Sequence, residues 1–396
     1  MEAVKHSSLE RDGGDSRSTR WRRFSGGLAV ALVASAASLL LVELALRLAG
    51  YRVPVLLSDR VRGQYRIAPN AEFVYLGYLP GAVEDFANPV KLNSLGFHDR
   101  DYAPERPMPA TYRILVLGDS YVAAWEVPVE VTFHKRLEAR LIEADPLRRS
   151  SYQVIAFGQG RTAQETEIQW LQKYGALYHP DMVLLLFFCG NDFMENDPTT
   201  FAAASRFGRH YIADVAPRKI RVFEELLLFP RSRLNGLLAE AAAEYYAAHL
   251  NRFDPRVSRA DLEDPEIGIY RNPLPPEWPA AFDRTAKLLD VARHEAEAMH
   301  ARFLLADLSG PQAMGAVAER VLWTQAADPG FDYQRPERWV REWANSAGVP
   351  LVELGPPLAE IGRRKVFWKH DQHLNPRGHA AVADLLYPAI VAAARR

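Results

Sequence analysis

Residues 182–188 read MVLLLFF, seven apolar positions with no polar residue among them. A strand with one wet face alternates apolar and polar residues, so a run apolar at every position needs cover on both faces. Short runs of this kind belong to parallel sheets lined by helices on either side. Seven residues are too few to cross a bilayer. The same rhythm runs through the chain from residue 111. Strands are expected at 112–117 (YRILVL), 152–157 (YQVIAF), 182–188, 302–306 and 350–353, with amphipathic helices at 131–143, 162–178, 280–299, near 337–346 and from Pro376 to the end. Five strands joined by crossover helices make an α/β fold, a doubly wound and mainly parallel five-stranded sheet. Such a sheet holds its ligands at the carboxyl ends of its strands.

The alternation has one interruption, roughly 193–279, mostly helical and aromatic with Pro-rich punctuation at 272–279 (NPLPPEWP). It is a candidate lid; the alternative is an insertion that only packs the scaffold or contacts a partner. Residues 51–110 form a strand-and-turn segment, with EFVYLGY at 72–78 and a turn at Asn93-Ser94-Leu95-Gly96, and carry no catalytic signal of their own.

Ahead of them, residues 24–42 are 19 consecutive residues without a charge, and the apolar stretch continues beyond Glu43 to about residue 50. That is the length of a bilayer-spanning helix. A cleaved signal peptide competes through the small-residue site Ala34-Ser35-Ala36, but Leu39, Leu40 and Leu41 continue the apolar run past it. Lys5, Arg11, Arg17, Arg20, Arg22 and Arg23 precede the span, against Arg47, Arg52, Arg60 and Arg62 behind it. The positive-inside rule then places a cytoplasmic tail at 1–23, an anchor at 24–50 and the body on the extracytoplasmic side, periplasmic in a bacterium. With 48 Lys+Arg against 49 Asp+Glu, the chain has no basic field for a phosphate backbone, which argues against a nucleic-acid partner. The single cysteine, Cys189, reads as a small buried hydrophobe and leaves the redox compartment open.

Four short signals fall where this fold places chemistry. The first strand ends in Gly118-Asp119-Ser120, which puts a serine hydroxyl at a carboxyl end; with Val at 122 it is not the Gly-x-Ser-x-Gly elbow. The second ends in Phe157-Gly158-Gln159-Gly160, where glycine permits a close backbone approach. The third ends in Gly190-Asn191-Asp192, either an ideal turn or an amide able to donate to an oxyanion. Just before the last helix, His370-Asp371-Gln372-His373-Leu374-Asn375-Pro376 puts a carboxylate two residues before a histidine, so that one loop can orient its own base. A metal site built from His370, Asp371, His373 and His379 is the rival reading, although the other strand ends offer no matching cluster.

Taken together and in that order, these blocks resemble the GDSL or SGNH hydrolase family over most of 111–396. The resemblance implies a flavodoxin-like sheet, Ser120 as nucleophile, His373 as general base and Asp371 as its orienting partner. The oxyanion hole would be the Ser120 amide, the Gly160 amide and the Asn191 side chain, with no metal and no cofactor. The second block departs from the family's Asn-x-Gly-x-x-Gly, since Ala156 stands in the Asn position and the spacing is compressed; Gly160 is preferred over Gly158. The Asp-x-His-Leu-Asn-Pro block is similar to that of members that include polysaccharide O-acetyl transfer relatives, and Asn93-Ser94-Leu95-Gly96-Phe97 looks like a segment preceding the domain in membrane-anchored members. The expectation is therefore a membrane-tethered serine esterase acting on a small-molecule or glycan ester. An O-acyltransferase with the same triad and a non-catalytic carbohydrate-binding envelope protein stand as alternatives.

Overall fold

The computed structural model describes residues 15–49, 69–77, 86–144, 152–160, 162–200, 234, 265–310, 331–369 and 371–394. His370 and most of the 193–279 insertion lie outside the described residues.

Helix α1 spans Asp15–Leu48. Within it, Gly27–Leu48 has a mean hydropathy of 2.3 and none of its most apolar stretch is covered by the rest of the chain. Val30, Leu32, Val33, Leu40 and Leu41 are exposed, so the helix is apolar around its whole circumference and is long enough to cross a membrane.

Two strands, β1 (Glu72–Gly77) and β2 (Phe86–Lys91), pair antiparallel with Tyr75 opposite Asn88. Phe73, Val90 and Leu92 bury one face of this hairpin against Trp125. The chain then turns at Asn93, whose Oδ1 accepts the Leu95 amide at 3.0 Å and the Phe97 amide at 2.9 Å, and Gly96 takes the positive φ (90°) that closes the turn. Phe97 enters the core edge-on to Phe157. His98 donates from Nδ1 to the carbonyls of Ala123 and Ala124, and Asp99 accepts the Ala156 amide at 2.9 Å. The segment thus closes the outer edge of the sheet described next and braces the turn that follows its first strand.

That sheet comprises β3 (Tyr112–Gly118), β4 (Tyr152–Gly158), β5 (Met182–Phe188), β6 (Arg302–Leu308) and β7 (Leu351–Glu353). All neighbours run parallel in the order β4-β3-β5-β6-β7. Counted within the domain this is 2-1-3-4-5, and the order reverses at β3/β5, the place where a doubly wound sheet opens a crevice. Alternate residues of each strand feed different cores. Leu115, Leu117, Val183, Leu185 and Phe187 join the layer that contains α4 (Gln164–Trp170), α6 (Trp278–Ala298) and α7 (Arg335–Ala347). Ile114, Val116, Leu184 and Leu186 join the layer of α3 (Phe133–Glu143) and α8 (Pro376–Ala394). Cys189 is buried in the first layer, where burial pushes its thiol well above the ordinary range. Two short helices, α2 (Ser120–Ala123) and α5 (Asp192–Asn196), follow β3 and β5 directly.

Most element boundaries fall within one or two residues of the sequence expectation, and two of the departures are of particular note. The helix expected over 162–178 is broken by a π turn at Leu171–Gly175, within which Leu171 and Tyr174 are buried in the core. Strand β6 continues two residues beyond Ala306, with Asp307 and Leu308 keeping their places opposite Phe187 and Phe188.

Candidate active site

Asp119 ends the β3 turn, fully buried, and its Oδ1 accepts the Tyr121 amide at 2.9 Å, capping the first turn of α2. Ser120 is the first residue of that helix and is partly exposed. Ala124 ends it in the left-handed conformation (φ 49°), so α2 is a single turn that serves to present Ser120 above the sheet.

The loop carrying Asp371 and His373 is pinned at both ends. A bridge pairs Phe367 with Leu374, which is buried, and the Trp368 amide donates to the His373 carbonyl at 2.8 Å. Asn375 holds Lys365 and Phe367 carbonyls through Nδ2 and accepts the Arg377 and Gly378 amides at Oδ1, capping α8, which Pro376 opens. In this frame His373 Nδ1 lies 2.6 Å from Asp371 Oδ1 and His373 Nε2 lies 2.9 Å from Ser120 Oγ. Tyr121 packs beside the imidazole with ring centroids 5.0 Å apart and donates its hydroxyl to the Gln372 carbonyl at 3.2 Å. Burial opposes a charge on His373, but the Asp371 carboxylate it touches, with Glu126 and Asp119 farther off, pushes its pKa up to about 9. Asp371 is partly desolvated, yet the imidazole beside it holds its carboxyl below the ordinary value.

The two glycines at the end of β4 divide the work. A Cβ on Gly158 would run into the backbone of Val122 and Ala123, so this glycine lets α2 settle onto the end of the sheet. A Cβ on Gly160 would stand 3.7 Å from the Ser120 Cβ, which places Gly160 at the serine. Asn191 is the residue before α5, its side chain makes no capping bond, and its Oδ1 has no hydrogen-bond partner among the described residues. The turn is held instead by Asp192, whose Oδ2 accepts the Phe188 amide at 2.8 Å and the Gln164 side chain at 2.9 Å. Ser120 and Asn191 therefore follow the two strands that flank the reversal of strand order.

His379 is drawn elsewhere than the metal reading requires: its Nδ1 accepts the Phe133 amide at 3.1 Å and its Nε2 faces Glu126 at 3.1 Å, deep in the core. Among the described residues no group of His, Cys, Asp and Glu is arranged to hold a metal ion. Sequence reasoning passed over Tyr75 in β1, whose hydroxyl points at Asp371 Oδ2 across 3.3 Å. Nothing in EFVYLGY distinguishes that tyrosine from one that merely suits a strand; only the folding of the hairpin onto the carboxyl-terminal loop does.

A flavodoxin-type sheet carrying a serine, an imidazole and a carboxylate in hydrogen-bond series over its strand ends is a frame for acyl transfer. The family model of GDSL-like lipases and acylhydrolases matches residues 116–381, and the chain belongs to that family of ester-cleaving hydrolases. Among solved structures, an acetyl xylan esterase aligns at 14% identity and a TM-score of 0.38, covering 70% of this chain and 99% of its own. The psychrotrophic esterase EstA from Pseudoalteromonas sp. aligns at 12% and 0.37, covering 72% and 99%. The lipase/acylhydrolase from Enterococcus faecalis aligns at 14% and 0.37, covering 70% and 95%. No curated protein matches the sequence.

Proposed function

We propose that the protein is a membrane-tethered serine esterase in which Ser120 is the nucleophile, His373 the general base and Asp371 its orienting partner. The observation that carries this reading is the unbroken series Ser120 Oγ, His373 Nε2, His373 Nδ1, Asp371 Oδ1, with steps of 2.9 and 2.6 Å. Asp371 accepts from Nδ1–H and leaves Nε2 as the acceptor facing the serine. Ser120 Oγ attacks the ester carbonyl as its proton passes to Nε2. The tetrahedral oxyanion then accepts hydrogen bonds from the Ser120 amide, the Gly160 amide and the Asn191 side chain. On collapse the imidazolium protonates the departing alcohol and an acyl-Ser120 ester remains. Water gives its proton to His373 and attacks that ester, and collapse of the second intermediate returns the proton to Ser120 and releases the acid. Every proton that leaves the serine or the water is carried by His373, so no cofactor enters the cycle.

Helix α1 is the tether in this reading, and the Lys/Arg bias across it puts the catalytic body on the extracytoplasmic side. The substrate class is an acyl ester of a small molecule or an envelope glycan. The test uses the full chain in detergent with an activated acetyl ester. Ser120→Ala should abolish turnover and labelling by a serine-directed phosphonate, and labelling that survives the change would place the nucleophile elsewhere.

A further inference from the structure

The hairpin β1/β2 lies ahead of residue 116, where the family match begins, yet it touches both loops of the site. On one side Phe73 meets Trp125 edge-on at 5.0 Å and Asn88 Nδ2 donates to the Trp125 carbonyl at 2.8 Å, just beyond the single turn that presents Ser120. On the other, Phe86 packs on Trp368, in the loop of Asp371 and His373, at 5.1 Å. Tyr75 sits between them, with its ring 5.6 Å from Phe86 and 5.8 Å from Trp125. Its Oη reaches the carboxyl oxygen that His373 does not use.

A carboxylate held by one oxygen alone can swing about its Cβ–Cγ bond, and each swing moves the acceptor away from the imidazole N–H. A donor on the second oxygen removes that freedom. We infer that Tyr75 is a positioning residue for the triad, locking the Asp371 carboxylate from outside the family domain so that the membrane-proximal hairpin is part of the working site. The inference rests on Asp371 and His373 acting as proposed above. Burial, then the charges of Asp371 and Glu126, keep the phenol protonated well beyond its ordinary range, so the donor persists at any pH at which the enzyme works.

The hydrogen bond also spreads the negative charge of Asp371 over both oxygens. Without it more charge faces Nδ1, the imidazolium is held more tightly, and His373 gives up its proton at higher pH. Among the described residues, the groups facing His373 are Asp371, Glu126 and Asp119 by charge and Tyr121 by ring contact, and those facing Asp371 include His373, through its ring and its amide, and Tyr75. None of the others is altered by Tyr75→Phe, which keeps the ring packed on Trp125 and Phe86.

The test compares full-length wild type with Tyr75→Phe and with Val90→Ala, a change in the apolar face of the same hairpin. Tyr75→Phe should lower kcat about tenfold with KM nearly unchanged, and should move the acidic limb of both kcat/KM and the phosphonate-labelling rate to higher pH. Val90→Ala should lower the thermal midpoint and leave that limb where it is. If Tyr75→Phe keeps kcat within about twofold and the limb unmoved while Ser120→Ala is dead, the positioning role is overturned and the triad stands. A limb that moves equally in Val90→Ala would reduce Tyr75 to a structural part of the hairpin. Activity surviving in Ser120→Ala would overturn the triad itself, and the inference with it.

Discussion

Asn191 and Asp192 are neighbours in one turn with different tasks. Asp192 accepts the Phe188 amide and the Gln164 side chain, so its truncation leaves buried donors unpaired; Asp192→Ala should lower stability by roughly 1–3 kcal/mol, seen as a lower thermal midpoint. The Asn191 side chain does not cap the turn, and its Oδ1 has no partner among the described residues. If it serves the oxyanion, Asn191→Ala should cut kcat by roughly 10²–10³-fold with little change in KM or in the midpoint. A lowered midpoint with near-normal kcat would return Asn191 to the turn. His373 gives a second prediction at this scale. A general base must be neutral, and a pKa pushed up to about 9 means the neutral form grows only as pH rises toward that value. With chemistry limiting, kcat/KM should still be climbing between pH 7 and 9, above the ordinary histidine value of about 6.5. A profile already flat at neutral pH would count against His373 as the base.

Among the elements, the α2 turn and the end of β4 are fitted to each other through a missing side chain. The Cβ that Gly158→Ala would add meets backbone atoms of Val122 and Ala123 rather than a flexible side-chain tip. Helix α2 must therefore move, at a cost of about 1–3 kcal/mol. Because Ser120 rides on that turn, the substitution should lower the thermal midpoint and kcat together, both measured on one preparation. A change in the midpoint alone would mean that α2 tolerates the shift without displacing the serine. The segment 93–99 works by the same logic from the other side: His98 holds the α2 carbonyls and Asp99 holds the β4 edge. What reads as a membrane-proximal connector is packed into the frame of the site.

For the whole molecule, an apolar helix that the described residues leave uncovered, with the hydrolase domain behind it, makes orientation across a membrane the property to measure. If the body faces away from the cytoplasm, protease added to intact spheroplasts should digest it, and a phosphatase fused after Arg396 should be active. A protected body would reverse the orientation.

The sequence by itself determined the periodic features. Seven apolar residues in a row, helix-spaced apolar positions between such runs and an uncharged stretch at the amino end each carry their meaning in local hydrophobic pattern, and each appears as expected in β5, in the flanking helices and in α1. It also placed Ser120, Gly160, Asn191, Asp371 and His373 at strand or helix ends, because parallel strands put their carboxyl ends on one side. Only the tertiary structure decided what those ends do to one another. Gly158 and Gly160 differ by which backbone lies above each, Asn191 and Asp192 by which donors fall within reach, and Tyr75 by a partner 296 residues away in the chain. Local pattern reports whether a residue is buried and in what element. A hydrogen bond between distant loops depends on where the sheet order carries them, and no local period encodes that.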